Sequence, residues 1–282
     1  SPLDRSSAAS DVYKRQGQND PTMSRDLHYT LRSSLPLDPS TVTADDIQLS
    51  AAATAETLDT GRLDPRVIAV TPVAGTNGLE FDVVARVDDS ASVSATLAAG
   101  RVTSTSGLTN TAAAVSADPR VTFVNPLQVT SPRFTLVTGD EKGKSYSILL
   151  RAGAPVPTSP LIFSSKIDAV GVAHGVGLST STPIIAPGAR STESIVLQAT
   201  DGDVTANTEA TIAATVASED ENYDGLVVPS VSAFLFATDP TIEIEKRAYA
   251  DVADASTPAT IEQTGRPCLL YTSPSPRDRQ KS

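Results

Sequence analysis

Short stretches of this chain alternate between apolar and polar side chains with a period of two. This is the pattern of a β-strand that buries one face. The clearest example is residues 79–87, whose apolar side is formed by Leu79, Phe81, Val83, Ala85 and Val87. The same alternation recurs at residues 27–31, 93–97, 146–150, 195–199, 212–216 and 231–235, with shorter apolar pieces at 47–49, 67–70 and 121–124. The pattern predicts many short strands and an all-β fold.

Proline and glycine separate these stretches, and no long amphipathic helix connects them. Strands at this spacing are typical of β-sandwiches. We predict two in tandem, over residues 17–125 and 126–239, with Asn125-Pro126 as a short, stiff joint. Asp88-Asp89 is predicted to be the hairpin turn between the strands at 79–87 and 93–97.

The two ends of the chain differ in character from its middle. Residues 6–16 and 268–278 resemble translated sequencing adapters, because D-V-Y-K-R-Q and C-L-L-Y-T-S can be encoded by complementary strands of one DNA segment. Residues 1–16 and 268–282 are therefore interpreted as non-native tails and expected to be disordered. Residues 240–267 are interpreted as the truncated start of a third β repeat, which lacks partners for its apolar side chains.

The charge and composition of the chain argue against nucleic-acid binding and membrane insertion. The net charge of −11 includes +1 from residues 1–16 and +2 from residues 268–282, so the middle of the chain carries about −14. Such a surface repels phosphate backbones and argues against nucleic-acid binding. The one cysteine, Cys268, lies in the adapter-like tail. No apolar run reaches the length that crosses a bilayer, so no membrane insertion is expected.

Residues 18–22, 27–50 and 97–123 resemble the opening and closing parts of bacterial Ig-like repeats. The sequence departs from that repeat at Ser104, where the family usually has Asp, and at Leu108, where it usually has Asn. We expect both changes to remove polar turn chemistry. The resemblance implies an Ig-like β-sandwich that acts as a stalk or adhesion module.

Residues 184–203, 218–226 and 237–240 resemble a second repeat type of large bacterial surface proteins, and less closely the calcium-binding Calx-beta modules. Together the two resemblances imply an all-β chain of tandem Ig-like β-sandwiches at the cell surface or outside the cell. The implied partners are neighbouring repeats of the same chain and host or matrix surface ligands.

An acidic loop, residues 218–226, reads S-E-D-E-N-Y-D-G-L. Calcium takes six to eight oxygen ligands, which clustered carboxylates and backbone carbonyls can supply. Glu219, Asp220, Asp224 and Asp239 are the candidate calcium ligands, expected at the far end of the second sandwich beside the third repeat. The alternative is a solvated acidic loop, which is what runs of charge usually are.

No catalytic motif stands out in the sequence. His28 and His174 are far apart and read as ordinary exposed or strand-end residues, and no Gly-x-Ser-x-Gly or H-E-x-x-H pattern occurs. We therefore expect a non-enzymatic structural or adhesive module that acts as a stalk or spacer. The alternative is a module that binds calcium, a protein or a carbohydrate, although the absence of Trp disfavours sugar recognition.

Overall fold

The computed structural model describes residues 9–112, 119–137, 142–200 and 208–236. These residues form two Ig-like β-sandwiches in tandem, which confirms the predicted all-β fold class. The predicted third repeat and C-terminal tail, residues 240–267 and 268–282, lie outside the described residues.

The first sandwich pairs a four-stranded sheet with a three-stranded sheet. Its strands are β1 (Ser10–Lys14), β2 (Leu27–Ser33), β3 (Ile47–Ala53), β4 (Arg66–Pro72), β5 (Glu80–Arg86), β6 (Ala91–Leu97) and β7 (Arg120–Phe123). The sheet orders are β1-β2-β5-β4 and β3-β6-β7. The alternate apolar side chains of β2, β5 and β6 face the interior as predicted, and the Tyr29 hydroxyl donates across the core to the Val93 carbonyl at 2.8 Å.

The second sandwich has ten strands among the described residues, compared with seven in the first. Its strands are β8 (Leu127–Val129), β9 (Arg133–Val137), β10 (Lys144–Tyr146), β11 (Ile148–Leu150), β12 (Leu161–Ile167), β13 (Val176–Leu178), β14 (Ile184–Ile185), β15 (Ile195–Ala199), β16 (Thr208–Ala217) and β17 (Val231–Phe236). The ladders are β8-β11 and β10-β15-β13 on one side and β14-β12-β16-β17-β9 on the other.

Two local predictions about strand connections were wrong. Asp88-Asp89 is not a hairpin turn, because β5 and β6 lie in different sheets and these residues carry the chain from one sheet to the other. The single strand expected at residues 146–150 is divided at Ser147, so that β10 pairs with β15 whereas β11 pairs with β8. A period of two does not distinguish a hairpin from a change of sheet, since both need only a short polar break.

The N-terminal tail was expected to be disordered, and for Ser10–Lys14 this is wrong. These residues form β1, which pairs along its whole length with β2. An edge strand is held by backbone hydrogen bonds, so it needs few specific side chains, and here Val12 fills the core side with 2% exposure. The adapter-like origin of residues 1–16 stays a prediction.

Within the described part of the chain, helical structure is confined to short pieces that the sequence did not predict. They are α1 (Ala169–Ala173) and the 3-10 turns Pro39–Thr41, Ala44–Asp46 and Thr60–Arg62. Asp168 caps α1 by accepting a hydrogen bond from the Gly171 amide at 2.8 Å. Among the described residues, no helix combines the length and the apolar character needed to cross a membrane.

The buried apolar side chains of the two sandwiches form one continuous cluster. Its members near the chain joint include Val87 and Phe123 before Asn125, and Leu127 after it. Although each sheet takes its strands from one sandwich only, the interior is not interrupted at the joint. A continuous apolar interior disfavours free rotation of one sandwich against the other, because rotation would expose apolar surface to water.

Candidate functional site at the joint between the sandwiches

The acidic loop, residues 218–226, is part of the connection from β16 to β17 and packs against the first sandwich. It was expected at the far end of the second sandwich, and that placement is wrong. Backbone and side-chain oxygens of residues 221–225 accept hydrogen bonds from three arginines of the first sandwich. The polar cluster at this joint is the candidate functional site of the described residues.

Arg25 lies at the centre of the joint and is only 3% exposed. Its Nη1 donates to the Glu221 carbonyl at 2.9 Å and also to the Asp224 carbonyl. Its Nη2 pairs with the Asp88 carboxylate of its own sandwich. A planar guanidinium can hold partners in several directions at once, which a lysine ammonium does less well. Arg25 therefore joins two modules through one buried side chain.

Two further arginines reach the same loop from the surface. Arg86, at the end of β5, bonds through Nε to Asp26 at 2.5 Å and through Nη2 to the Glu221 carboxylate at 2.6 Å. Arg62 donates to the Gly225 carbonyl at 3.1 Å. We call Arg25, Arg62 and Arg86, together with their acceptors in residues 221–225, the arginine clasp.

Asp88 supports the arginine clasp from the first sandwich. Its carboxylate accepts hydrogen bonds from Arg66 at 3.1 and 3.2 Å as well as from Arg25, and its carbonyl accepts one from the Val227 amide at 2.9 Å. Burial alone would raise the pKa of Asp88, but the hydrogen bonds from Arg66 and Arg25 outweigh burial and lower it. Asp88 is therefore ionised at neutral pH and balances the buried guanidinium.

The peptide link between the sandwiches is also held by side chains. Asn125 donates through Nδ2 to the Val227 carbonyl at 2.7 Å, and its Oδ1 accepts from the Leu127 amide at 3.0 Å. The neighbouring Asp89 carboxylate, fully buried, accepts from the amides of Leu58, Asp59 and Ser90 at 2.6–2.7 Å. The predicted joint at Asn125-Pro126 therefore lies within a network of buried hydrogen bonds.

Within the acidic loop, Asp220 and Tyr223 fasten the loop to its own sandwich. The Asp220 carboxylate accepts from the backbone and hydroxyl of Thr158 at 2.9 and 3.0 Å and from Asn222 at 3.1 and 3.2 Å. Burial would raise the pKa of Asp220, but these hydrogen bonds lower it. The buried Tyr223 hydroxyl donates to the Pro155 carbonyl, and burial raises the pKa of Tyr223 to about 12. The phenol is thus a neutral donor at any ordinary pH.

The predicted calcium ligands differ in their exposure and in their hydrogen-bond partners. Glu219 is exposed, Asp220 is buried among the donors just described, and Asp224 accepts from the Ser218 amide at 3.1 Å. Asp239 lies outside the described residues. Across residues 9–112, 119–137, 142–200 and 208–236, no group of three or more His, Cys, Asp or Glu side chains is arranged to hold a metal ion.

The arginines of the clasp could not be identified from the sequence. Arg25 stands in a polar segment before β2 that gives no sign of burial, and Arg86 occupies an outward position of β5. The second sandwich contacts both, so that Arg25 is buried and Arg86 is partly buried. The one usable signal was the acidic loop itself, because an excess of carboxylates implies a cationic partner.

Other residues singled out in the sequence have local roles. His28 lies on β2 with its Nδ1 3.4 Å from the Asp82 carboxylate, and His174 terminates α1. The turn at Ser104 was expected to lack polar chemistry, but the Ser104 hydroxyl accepts from the Leu108 amide at 3.0 Å. Serine therefore supplies the acceptor that aspartate would supply in the bacterial Ig-like repeat.

These features define a class of protein: an all-β chain of tandem sandwiches whose most elaborate polar site is the contact between modules. No family model and no curated protein matches the chain. Solved structures show a distant similarity, with the following three as examples.

The N-terminal part of the bacterial S-layer protein SbsC is 11% identical, with a TM-score of 0.27, over 82% of this chain and 44% of that one. Native α2-macroglobulin from Escherichia coli, domains MG0-NIE-MG1, is 13% identical, with a TM-score of 0.27, over 80% of this chain and 71% of that one. CBD12 from CALX1.2 is 7% identical, with a TM-score of 0.27, over 80% of this chain and 99% of that one. This chain thus spans less than half of the SbsC part. Similarity at this level carries no argument about function.

Proposed function

We propose that this chain is a non-enzymatic spacer of a bacterial extracellular surface protein, in which the arginine clasp fixes the angle between neighbouring modules. The observation that carries the proposal is Arg25, a buried charge whose acceptors come from both sandwiches. Burying a charge is costly unless it is paired and hydrogen-bonded, so the guanidinium favours the one arrangement that keeps its partners in place. The sequence resemblance to surface-protein repeats supports the location.

A spacer must keep its modules in a constant orientation, since a freely jointed chain folds back on itself. The joint combines a three-residue link between β7 and β8, a continuous apolar interior and cross-module bonds that include Arg151–Glu56 at 2.6 Å. Neighbouring repeats of the same chain are the partners that such a contact serves. Host or matrix ligands stay a prediction.

Distance measurements between spin labels test the proposal. Ser50 on β3 and Ser164 on β12 are exposed sites in different sandwiches, and both can be changed to cysteine after Cys268→Ser. We expect a narrow distance distribution that broadens in the Arg25→Ala/Arg86→Ala double variant. Arg32→Ala, which removes an exposed pair with Glu80 inside the first sandwich, is the control and should leave the distribution narrow. A broad distribution in the unaltered joint would refute the fixed angle.

A further inference from the structure

In both sandwiches, a segment near the start of the module runs parallel to the last strand. In the second sandwich, β9 pairs in parallel with β17 over five residue pairs, from Arg133 with Ser232 to Val137 with Phe236. In the first, Thr22 pairs in parallel beside β7: its amide donates to the Thr122 carbonyl at 2.9 Å, and its carbonyl accepts from the Val124 amide at 2.8 Å. The other strand ladders of the described residues are antiparallel.

This arrangement determines how tension acts on the second sandwich. The chain reaches β9 at Arg133 and leaves β17 at Phe236, and in a parallel pair these two points lie at opposite ends of the ladder. Tension along the chain therefore slides the two strands past each other, and every hydrogen bond between them bears load at once. When force instead acts on two register partners at one end of a ladder, the bonds break one after another.

We propose that the parallel pairing of β9 with β17 makes the second sandwich load-bearing and is its force-resisting element. The inference rests on the proposed spacer function, to which it adds resistance to pulling along the chain. The preceding strand β8 contributes less to the resistance to pulling, because it has only three residue pairs with β11. The one-residue parallel bridge at Thr22 is reinforced by Asp20, whose carboxylate accepts from the Thr122 amide at 2.9 Å.

Pulling the same protein along two different axes tests the proposal. Both variants carry Cys268→Ser and Phe236→Cys. The shear variant adds Arg133→Cys, and the unzipping variant adds Val137→Cys, the register partner of Phe236. All three handle positions are exposed. We expect the shear variant to unfold at a force several-fold higher than the unzipping variant, although both should have the same unfolding midpoint in urea without load.

Equal forces along the two axes, or a higher force for unzipping, would overturn the proposal. If a cysteine pair impairs folding, Phe234 replaces Phe236 as the common handle, with Arg133 for shear and Thr135, its register partner, for unzipping. The outcome is separate from the test of the joint. A broad spin-label distribution with a large force difference would reject the fixed angle and support the load-bearing ladder. A narrow distribution with equal forces would support the fixed angle and reject the load-bearing ladder.

Discussion

At the scale of single residues, Arg25 determines how firmly the two sandwiches are joined. Arg25→Ala removes the donors to Glu221 and Asp224 and leaves the Asp88 carboxylate with Arg66 as its remaining arginine partner. Removing one member of a buried, hydrogen-bonded ion pair costs about 3 kcal/mol. We expect a decrease of that size in the free energy of unfolding, measured with urea.

The matched control is Arg32→Ala, whose pair with Glu80 is exposed and worth at most about 1 kcal/mol. Arg25→Lys tests geometry at constant charge and should recover only part of the loss, because an ammonium cannot serve both carbonyls and the carboxylate in the same plane. If Arg25→Ala and Arg32→Ala are equally mild, the buried guanidinium does not stabilise the joint.

Asp88 makes the stability of the joint depend on pH at the acid end. Because its pKa is lower in the folded protein than the unfolded value of about 3.9, its contribution is fully present above that pH and is lost as pH falls through the folded pKa. We expect the difference in unfolding free energy between the native chain and Asp88→Asn to be constant near neutrality and to shrink below about pH 4.

Urea titrations at a series of pH values provide the measurement, and Asp45→Asn, an exposed carboxylate, controls for the change in net charge. A difference that stays constant down to the acid limit would show that the lowered pKa does not contribute to stability.

The sequence identified the joint imperfectly, and the reason lies in single side chains. Alternation reports which face of a strand is buried within its own sandwich, so Tyr29, Phe81 and Val93 could be assigned to the core. The alternation does not show whether a second module covers the outward face of the strand. For that reason Arg25 and Arg86 were missed, and the acidic loop was assigned to the opposite end of its sandwich.

At the scale of elements, the strands were predictable but not all of their connections. The alternating stretches became β2, β5, β6, β15, β16 and β17. The change of sheet at Asp88-Asp89, the division at Ser147 and the parallel pairing of β9 with β17 depend on contacts distant in sequence. A local period cannot encode them, because each strand would alternate identically with any partner.

The contribution of strand β1 to the stability of the first sandwich can be tested by deletion. Deleting residues 1–14 removes the backbone pairing with β2 and the buried Val12 side chain. Full burial of a valine contributes about 2 kcal/mol. We expect the deletion to lower the free energy of unfolding by at least about that amount, and Val12→Ala by a smaller amount. The exposed edge of β2 should also promote association, visible by size-exclusion chromatography. An unchanged unfolding midpoint after the deletion would show that β1 does not stabilise the sandwich.

At the scale of the whole molecule, the acidic loop meets arginines of the first sandwich. The chain has a net charge of −11, and the carboxylates of the acidic loop could in principle attract calcium instead. Calcium needs six to eight oxygens at 2.3–2.6 Å, so it would have to displace Thr158 and Asn222 from Asp220, or Arg86 from Glu221. The arginine clasp therefore competes with a cation for the same oxygens.

We accordingly expect the melting temperature of the full chain to be the same in millimolar calcium as in chelator, with magnesium as the matched ionic control. A ligand that binds the folded state raises its stability in proportion to the logarithm of its concentration over its Kd, so specific calcium binding would be visible as a concentration-dependent increase. Such an increase, abolished by Asp224→Ala and absent with magnesium, would show that the acidic loop binds calcium. Asp224→Ala tests the carboxylate alone, because the Asp224 carbonyl remains an acceptor for Arg25 after the side chain is removed.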